Sequence, residues 1–223
     1  IDSADYKKAH AGVAVADRPT GPYRYVSSLR PDGGESRDMT LFKDDDGKAY
    51  LVYSSEWNAT THVSLLSDDY TKPIGKVVRI FEGQYREAPA LFKRAGLYYL
   101  VTSGCTGWYP NRALYATAPK ITGPWSEQAD LLVGPDAEWT YFGQSTFVLP
   151  VAGKRDAFIL MLDRWKSTNL RDSLASLRAQ EAEAQGQLFA DPDQERQWRR
   201  DREAMQRRLI AVRLKAAASS GSA

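Results

Sequence analysis

The chain repeats itself at a period of about 50 residues, and that repeat constrains its fold more than any other feature. Arg37-Asp38-Met39-Thr40-Leu41-Phe42-Lys43 is echoed by Arg86-Glu87-Ala88-Pro89-Ala90-Leu91-Phe92-Lys93. Tyr50-Leu51-Val52-Tyr53-Ser54 is matched by Tyr99-Leu100-Val101-Thr102-Ser103, and the offset is 49 residues both here and at the two acids. A second echo joins Ala14-Val15-Ala16 and Thr20-Gly21-Pro22-Tyr23 to Ala116-Thr117-Ala118 and Thr122-Gly123-Pro124-Trp125, at an offset of 102. A weaker third copy opens with Gln144-Ser145-Thr146-Phe147-Val148-Leu149. Four short strands per 50 residues is the arithmetic of a β-propeller blade.

The strand pattern agrees. Up to about residue 170, short runs rich in Val, Leu, Tyr, Phe and Thr alternate with Gly, Pro and Asp turns, the signature of an all-β domain. The expected strands are Val13–Ala16, Tyr23–Ser27, Met39–Lys43, Ala49–Ser54, His62–Leu66, Val77–Phe81, Ala88–Phe92, Tyr98–Ser103, Ala113–Thr117, Ser145–Leu149 and Ala157–Leu162. Asp44-Asp45-Asp46-Gly47 and Arg94-Ala95-Gly96 read as hairpin turns in which Gly supplies the positive φ. From Arg171 onward Gln, Glu, Arg and Ala dominate. Asp191-Pro192-Asp193 is a good helix start, and Trp198, Met205, Leu209 and Val212 form an amphipathic stripe. The expectation is a partial propeller over 1–170, a helical tail over 171–217 and a disordered end over 218–223. The tail reads first as a solvated helical hairpin, with a membrane-surface or partner helix as the alternative.

Composition removes several function classes. A net charge of +2, with no basic cluster on the aromatic-rich part, argues against a nucleic-acid partner. The single Cys105 allows neither an intrachain disulfide nor a cysteine-rich metal site. His10 and His62 lie in strand-like contexts without partners at metal-ligand spacing, so both read as structural, and no metal or other cofactor is expected. No run is long enough for a membrane span. No signal peptide opens the chain, although Ile1-Asp2-Ser3-Ala4-Asp5-Tyr6 reads like the interior of a protein.

In a propeller the first strands of successive blades converge at one end of the central channel. Asp38, Glu87 and Gln144 are the equivalent first-strand positions here, so acid and amide side chains from separate repeats are brought to one pocket. Taken singly, each reads as a strand cap or a surface partner of Arg37 or Arg86. Three in register read as a site.

With those residues in place, the sequence resembles glycoside hydrolase family 43, a family of five-bladed propellers. Ser36-Arg37-Asp38-Met39-Thr40-Leu41-Phe42, Arg86-Glu87-Ala88-Pro89-Ala90, Thr102-Ser103-Gly104-Cys105-Thr106-Gly107-Trp108, Gly143-Gln144-Ser145-Thr146 and Asp163-Arg164-Trp165 resemble its exo-β-1,3-galactanase (galactan 1,3-β-galactosidase) branch. The resemblance runs from Ile1 to about Ser173. It implies Glu87 as the general acid, Asp38 as the modulator of its pKa, and Gln144 where most of the family has an aspartate base. It also suggests Tyr6, Asn58 and Thr106 as sugar contacts and a secreted or extracellular location. Trp108 and Tyr109 either stack on a sugar face or pack within their loop.

Physical chemistry suits those roles. A general acid must hold its proton near neutral pH; a neighbouring carboxylate and burial both raise its pKa. Inversion separates acid and base by roughly 6.5–9.5 Å to admit water. A neutral amide is a poor base, so Gln144 either orients the water or acts through an unusual tautomer. Compared with the family, the first blade is missing and the C-terminus diverges, leaving about three to four blades. The open blade edges are candidate surfaces for self-association. The expected activity is inverting release of galactose from the non-reducing end of β-1,3-galactan, a polysaccharide or oligosaccharide substrate. The alternatives are an arabinofuranosidase or xylosidase of the same family, or an inactive carbohydrate-binding propeller fragment.

Overall fold

The structure is a computed structural model that describes residues 3–154 and 156–166, all within the compact unit Ile1–Arg171. The expected helix start at Asp191, the stripe from Trp198 to Val212, the tail 171–217 and the end 218–223 lie outside the described residues. No helix among the described residues is long and apolar enough to cross a membrane.

The described part is all-β, built of antiparallel sheets. Strands β1 (Ala11–Val15) and β2 (Arg24–Leu29) form a two-stranded sheet. Strands β3 (Met39–Lys43), β4 (Ala49–Ser55), β5 (Thr60–Leu66) and β6 (Pro73–Ile80) form a four-stranded meander. A second meander contains β7 (Arg86–Arg94), β8 (Leu97–Gly104), β9 (Leu114–Ala118) and β10 (Ala129–Asp130), and a last pair β11 (Gln144–Pro150) and β12 (Phe158–Asp163). Both echoes fall on equivalent places in the sheets: β3 and β4 match β7 and β8, while the Thr-Gly-Pro-aromatic copies sit between β1 and β2 and between β9 and β10. This architecture is consistent with a fragment of a propeller.

Every expected strand is present, Met39–Lys43 with the ends expected and the others with shifted ends. Strand β6 begins at Pro73, four residues before the expected start, because it is the outer edge of its sheet and a missing N–H there breaks no ladder. Strand β10 was not expected, since two residues without a β-branched side chain carry no pattern. The turn at Ala95-Gly96 has φ of 50° and 79°, the paired positive values of a tight hairpin.

The pleat explains why β4 and β8 read as almost continuous apolar runs. Successive side chains face opposite sides, and in β4 both sides are covered. Leu51 and Tyr53 pack with Ala49 and Leu66 on one face, whereas Val52 joins Val63, Ile80, Leu91, Tyr98 and Leu100 on the other. That second cluster lies between the two meanders. A third, with Ala90, Val101, Ala113 and Val148, lies between β7–β10 and β11–β12. Sheets stacked on both faces hold the first strands side by side, with β7 touching β3 on one flank and β11 on the other. That juxtaposition carries the site.

Candidate active site

Asp38, Glu87 and Gln144 open onto one cavity of about 530 Å³. Its wall also includes Tyr6, Met39, Pro89, Trp108, Asp163 and Trp165. Asp38 precedes β3, Glu87 is the second residue of β7 and Gln144 the first of β11, so the three adjacent first strands deliver one polar side chain each.

Local backbone irregularities aim the side chains. The register of β7 against β8 slips between Glu87 and Ala90, so Ala88-Pro89 form a bulge, with Ala88 at φ 52°. A bulge bends the strand and redirects the residue before it, and it also removes the need for a ladder N–H at Pro89. Two neighbours pin it: the Ala88 N–H donates to Asp38 Oδ2 at 3.1 Å, and Ser145 Oγ donates to the Ala88 carbonyl at 2.6 Å. Strand β11 slips likewise between Ser145 and Phe147, directly after Gln144.

Glu87 is half-buried and accepts two amide donors. Asn58 Nδ2 reaches Oε2 at 3.1 Å and Gln144 Nε2 reaches Oε1 at 3.0 Å. Gln144 Nε2 also donates to Ser103 Oγ at 3.1 Å, and Trp165 Nε1 donates to Gln144 Oε1 at 3.1 Å. An indole nitrogen can only donate, so the tryptophan determines which end of the Gln144 amide faces the acid. Desolvation first, and then the Asp38 charge, push the Glu87 carboxyl above its ordinary range, against the lowering pull of Cys105, Gln144 and Arg86. Desolvation by surrounding protein also raises Asp38, although its carboxylate keeps access to solvent through the cavity.

The basic neighbours are engaged elsewhere. Arg86 is buried, with Nε on Thr102 Oγ1 at 3.0 Å and Nη2 on the Thr102 carbonyl at 2.8 Å. Arg37 pairs with Glu35 at 3.5 Å and lies 4.0 Å above the Trp57 ring. Glu87 and Asp38 are therefore not the surface ion-pair partners that a residue-by-residue reading allows.

The other candidates divide. Tyr6 and Trp108 line the cavity, and Trp108 packs edge-on against Trp165 with centroids 5.0 Å apart. Asn58 touches Glu87. Thr106 is not in the cavity wall: it accepts from Asn111 Nδ2 at 2.7 Å and donates to the Tyr109 carbonyl at 2.6 Å, which braces the 104–111 loop. The spacing expected of an inverting pair is not found between Glu87 and Gln144, which are in direct contact because β7 and β11 pack side by side. Sequence reading assigned no role to Trp165, Asp163, Ser103 or Cys105. The Asp163-Arg164-Trp165 motif was the available signal for the first two. The Cys105 thiol, pushed up to about 11 by desolvation and the nearby Glu87, is a poor nucleophile. His62 is buried against Tyr53, with Nδ1 3.1 Å from its hydroxyl, in the structural role expected.

Comparison with known proteins decides the family. The model for glycosyl hydrolases family 43 matches residues 2–173. The chain belongs to that family. The family 43 chain is 32% identical over 173 residues to a β-D-galactofuranosidase of Aspergillus niger, covering 72% of this chain and 49% of that protein. It resembles the solved structure of a family 43 β-1,3-galactosidase with galactodeoxynojirimycin at TM-score 0.72 and 40% identity, covering 75% of this chain and 61% of that one. An exo-β-1,3-galactanase of Phanerochaete chrysosporium with β-1,3-galactotriose matches at TM-score 0.70 and 37% identity, covering 76% and 39%. This chain thus spans less than two thirds of each of these relatives. It is a glycoside hydrolase by family, and a carbohydrate substrate suits its neighbours.

Proposed function

We propose that this domain releases galactose from the non-reducing end of β-1,3-galactan with inversion at the anomeric carbon. The observation that carries the reading is the convergence of Asp38, Glu87 and Gln144 on one cavity, with the Glu87 carboxyl raised. Glu87 gives its proton to the departing glycosidic oxygen. Asp38 keeps that proton on Glu87 at higher pH by like-charge repulsion. The carbonyl oxygen of Gln144 has a lone pair left after Trp165, enough to orient a water. Because an amide is a poor base, its part is orientation unless the imidic tautomer takes the proton. The sugar has to enter between Glu87 and Gln144, since an inverting reaction needs room for water there. Tyr6, Asn58 and Trp108 are the proposed sugar contacts.

The domain is proposed as an incomplete five-bladed-type propeller of about three to four blades, secreted, followed by a helical tail, with open edges available for self-association. The galactanase and galactosidase neighbours support galactose. A panel of aryl galactosides, xylosides and arabinofuranosides tests the sugar, and proton NMR of the first-formed anomer tests inversion. Preferential cleavage of the xyloside or arabinofuranoside would replace the substrate assigned here. The direct contact between Glu87 and Gln144, which leaves no water-sized gap between them, favours a second reading, a carbohydrate-binding domain without turnover. Galactan binding by the whole chain with no galactose released would establish it.

A further inference from the structure

The turn between β4 and β5 is unusual. Glu56, Trp57 and Asn58 have φ of 54°, 56° and 66°, three successive non-glycine residues in the left-handed region. Such residues persist there only when their surroundings over-determine them, and two sets of contacts do so. On one side, the Trp57 N–H donates to Glu35 Oε2 at 3.0 Å while the Arg37 guanidinium covers the indole. On the other, Thr60 Oγ1 donates to Glu56 Oε2 at 2.8 Å, and Arg79 grips both Glu56 oxygens, Nη2 to Oε2 at 3.1 Å and Nη1 to Oε1. Arg79 is itself held by Glu82 at 3.0 Å, and His62 Nε2 stands 3.6 Å from Glu56 Oε1.

The turn ends on Asn58, whose Nδ2 donates to Glu87. Asn58 Oδ1 is buried without a partner, so nothing on that side of the amide fixes it. Its placement comes from the backbone of the turn, with Glu87 and the Cys105 thiol as the side-chain partners of its nitrogen.

We infer that Glu56 is a positioning residue: held by Arg79 and Thr60, its carboxylate clamps the left-handed turn and so delivers the Asn58 amide to Glu87. This rests on the reading of Glu87 as the general acid. The groups facing Glu87 are Asp38, Arg86, Cys105, Gln144 and Asn58; those facing Glu56 are Arg79, His62 and Thr60, with Glu82 behind Arg79.

The sign of one measurement separates this from a general brace. An amide donor favours the ionised carboxylate, so losing Asn58 from Glu87 raises the Glu87 pKa. Removing the negative charge of Glu56 would by itself lower it. The test is Glu56→Gln in the whole chain, read by carboxyl carbon NMR of labelled glutamate, with the Glu87 signal assigned from Glu87→Gln. The expected result is an upward shift on the order of half a pH unit, with a fall in kcat of roughly ten- to a hundredfold and a smaller change in KM. Asn58→Ala should give the same shift, and the double variant no more than Asn58→Ala alone. A downward or absent shift in Glu56→Gln, or additive shifts in the double variant, would overturn the proposal. If the chain released no sugar, the hydrolase reading would fail separately, and the Glu87 titration would still decide this point.

Discussion

Gln144 donates its amide nitrogen to Glu87 Oε1 at 3.0 Å, across the line where β11 packs on β7. The contact ties the proposed acid to the side chain proposed to orient the water. It also makes the two a unit: in the proposed reaction, a sugar that enters between them exchanges this hydrogen bond for its own.

Replacing Glu87 by Gln should cut release of galactose from β-1,3-galactan by about 10²- to 10⁴-fold, the usual contribution of acid–base catalysis. An aryl galactoside with an acidic phenol needs little help in leaving, so its hydrolysis should fall far less. Steady-state rates on the two substrates check this. Equal losses on both would remove Glu87 from the role of acid.

In the proposed role the working form of Glu87 is protonated, so activity should be present below its folded-state pKa and lost as pH rises through it. Since desolvation and Asp38 raise that pKa, the alkaline limb should lie above the ordinary glutamate range. Asp38→Asn should move the limb to lower pH, because a like charge has gone. Asp38 is raised as well, so the folded state holds its proton more tightly than the unfolded state, and stability declines as pH climbs between the two pKa values. Asp38→Asn should therefore raise the melting midpoint at pH 7, with the gain vanishing in acid. The cavity admits solvent, which screens the charge and limits the gain to at most about 1 kcal/mol. Scanning calorimetry at pH 4 and pH 7 measures it.

Trp165→Phe keeps the ring but removes the donor that orients Gln144. The amide is then free to turn its oxygen toward Glu87, where it would repel the ionised acid and disfavour it. The expectation is a fall in kcat of roughly tenfold, with little change in thermal stability because Trp165 is partly exposed. A pH–rate profile should show the alkaline limb displaced upward.

Gly143→Ala should destabilise by about 1–3 kcal/mol through overpacking. A Cβ there would stand 2.8 Å from Leu162 Cβ and 3.0 Å from Leu162 Cδ1. The φ of Gly143 is −116°, which any residue accepts, so the limit is space rather than backbone conformation. The displaced strand carries Gln144, so activity should fall with stability. A urea midpoint and a galactose assay on the same preparation test both.

Repeats and apolar patterning made much of this protein legible. The 49-residue echo located the two four-stranded sheets, and the weaker third copy placed Gln144 at the position equivalent to Asp38 and Glu87. These are properties of short range: side chains alternate along a strand, Gly closes a hairpin, and a period shows in one dimension. The family follows from the same motifs. The contact set, by contrast, depends on how the sheets pack. Strand proximity put Gln144 directly against Glu87 rather than across a water-sized gap. The fold sent Arg86 inward to Thr102, turned Thr106 into a loop brace, and brought Trp165 back from the far end of β12 onto the Gln144 amide. Bulges, left-handed turns and hydrogen bonds between residues dozens of positions apart depend on how sheets stack. A linear pattern names the residues that meet; packing determines which atoms face one another.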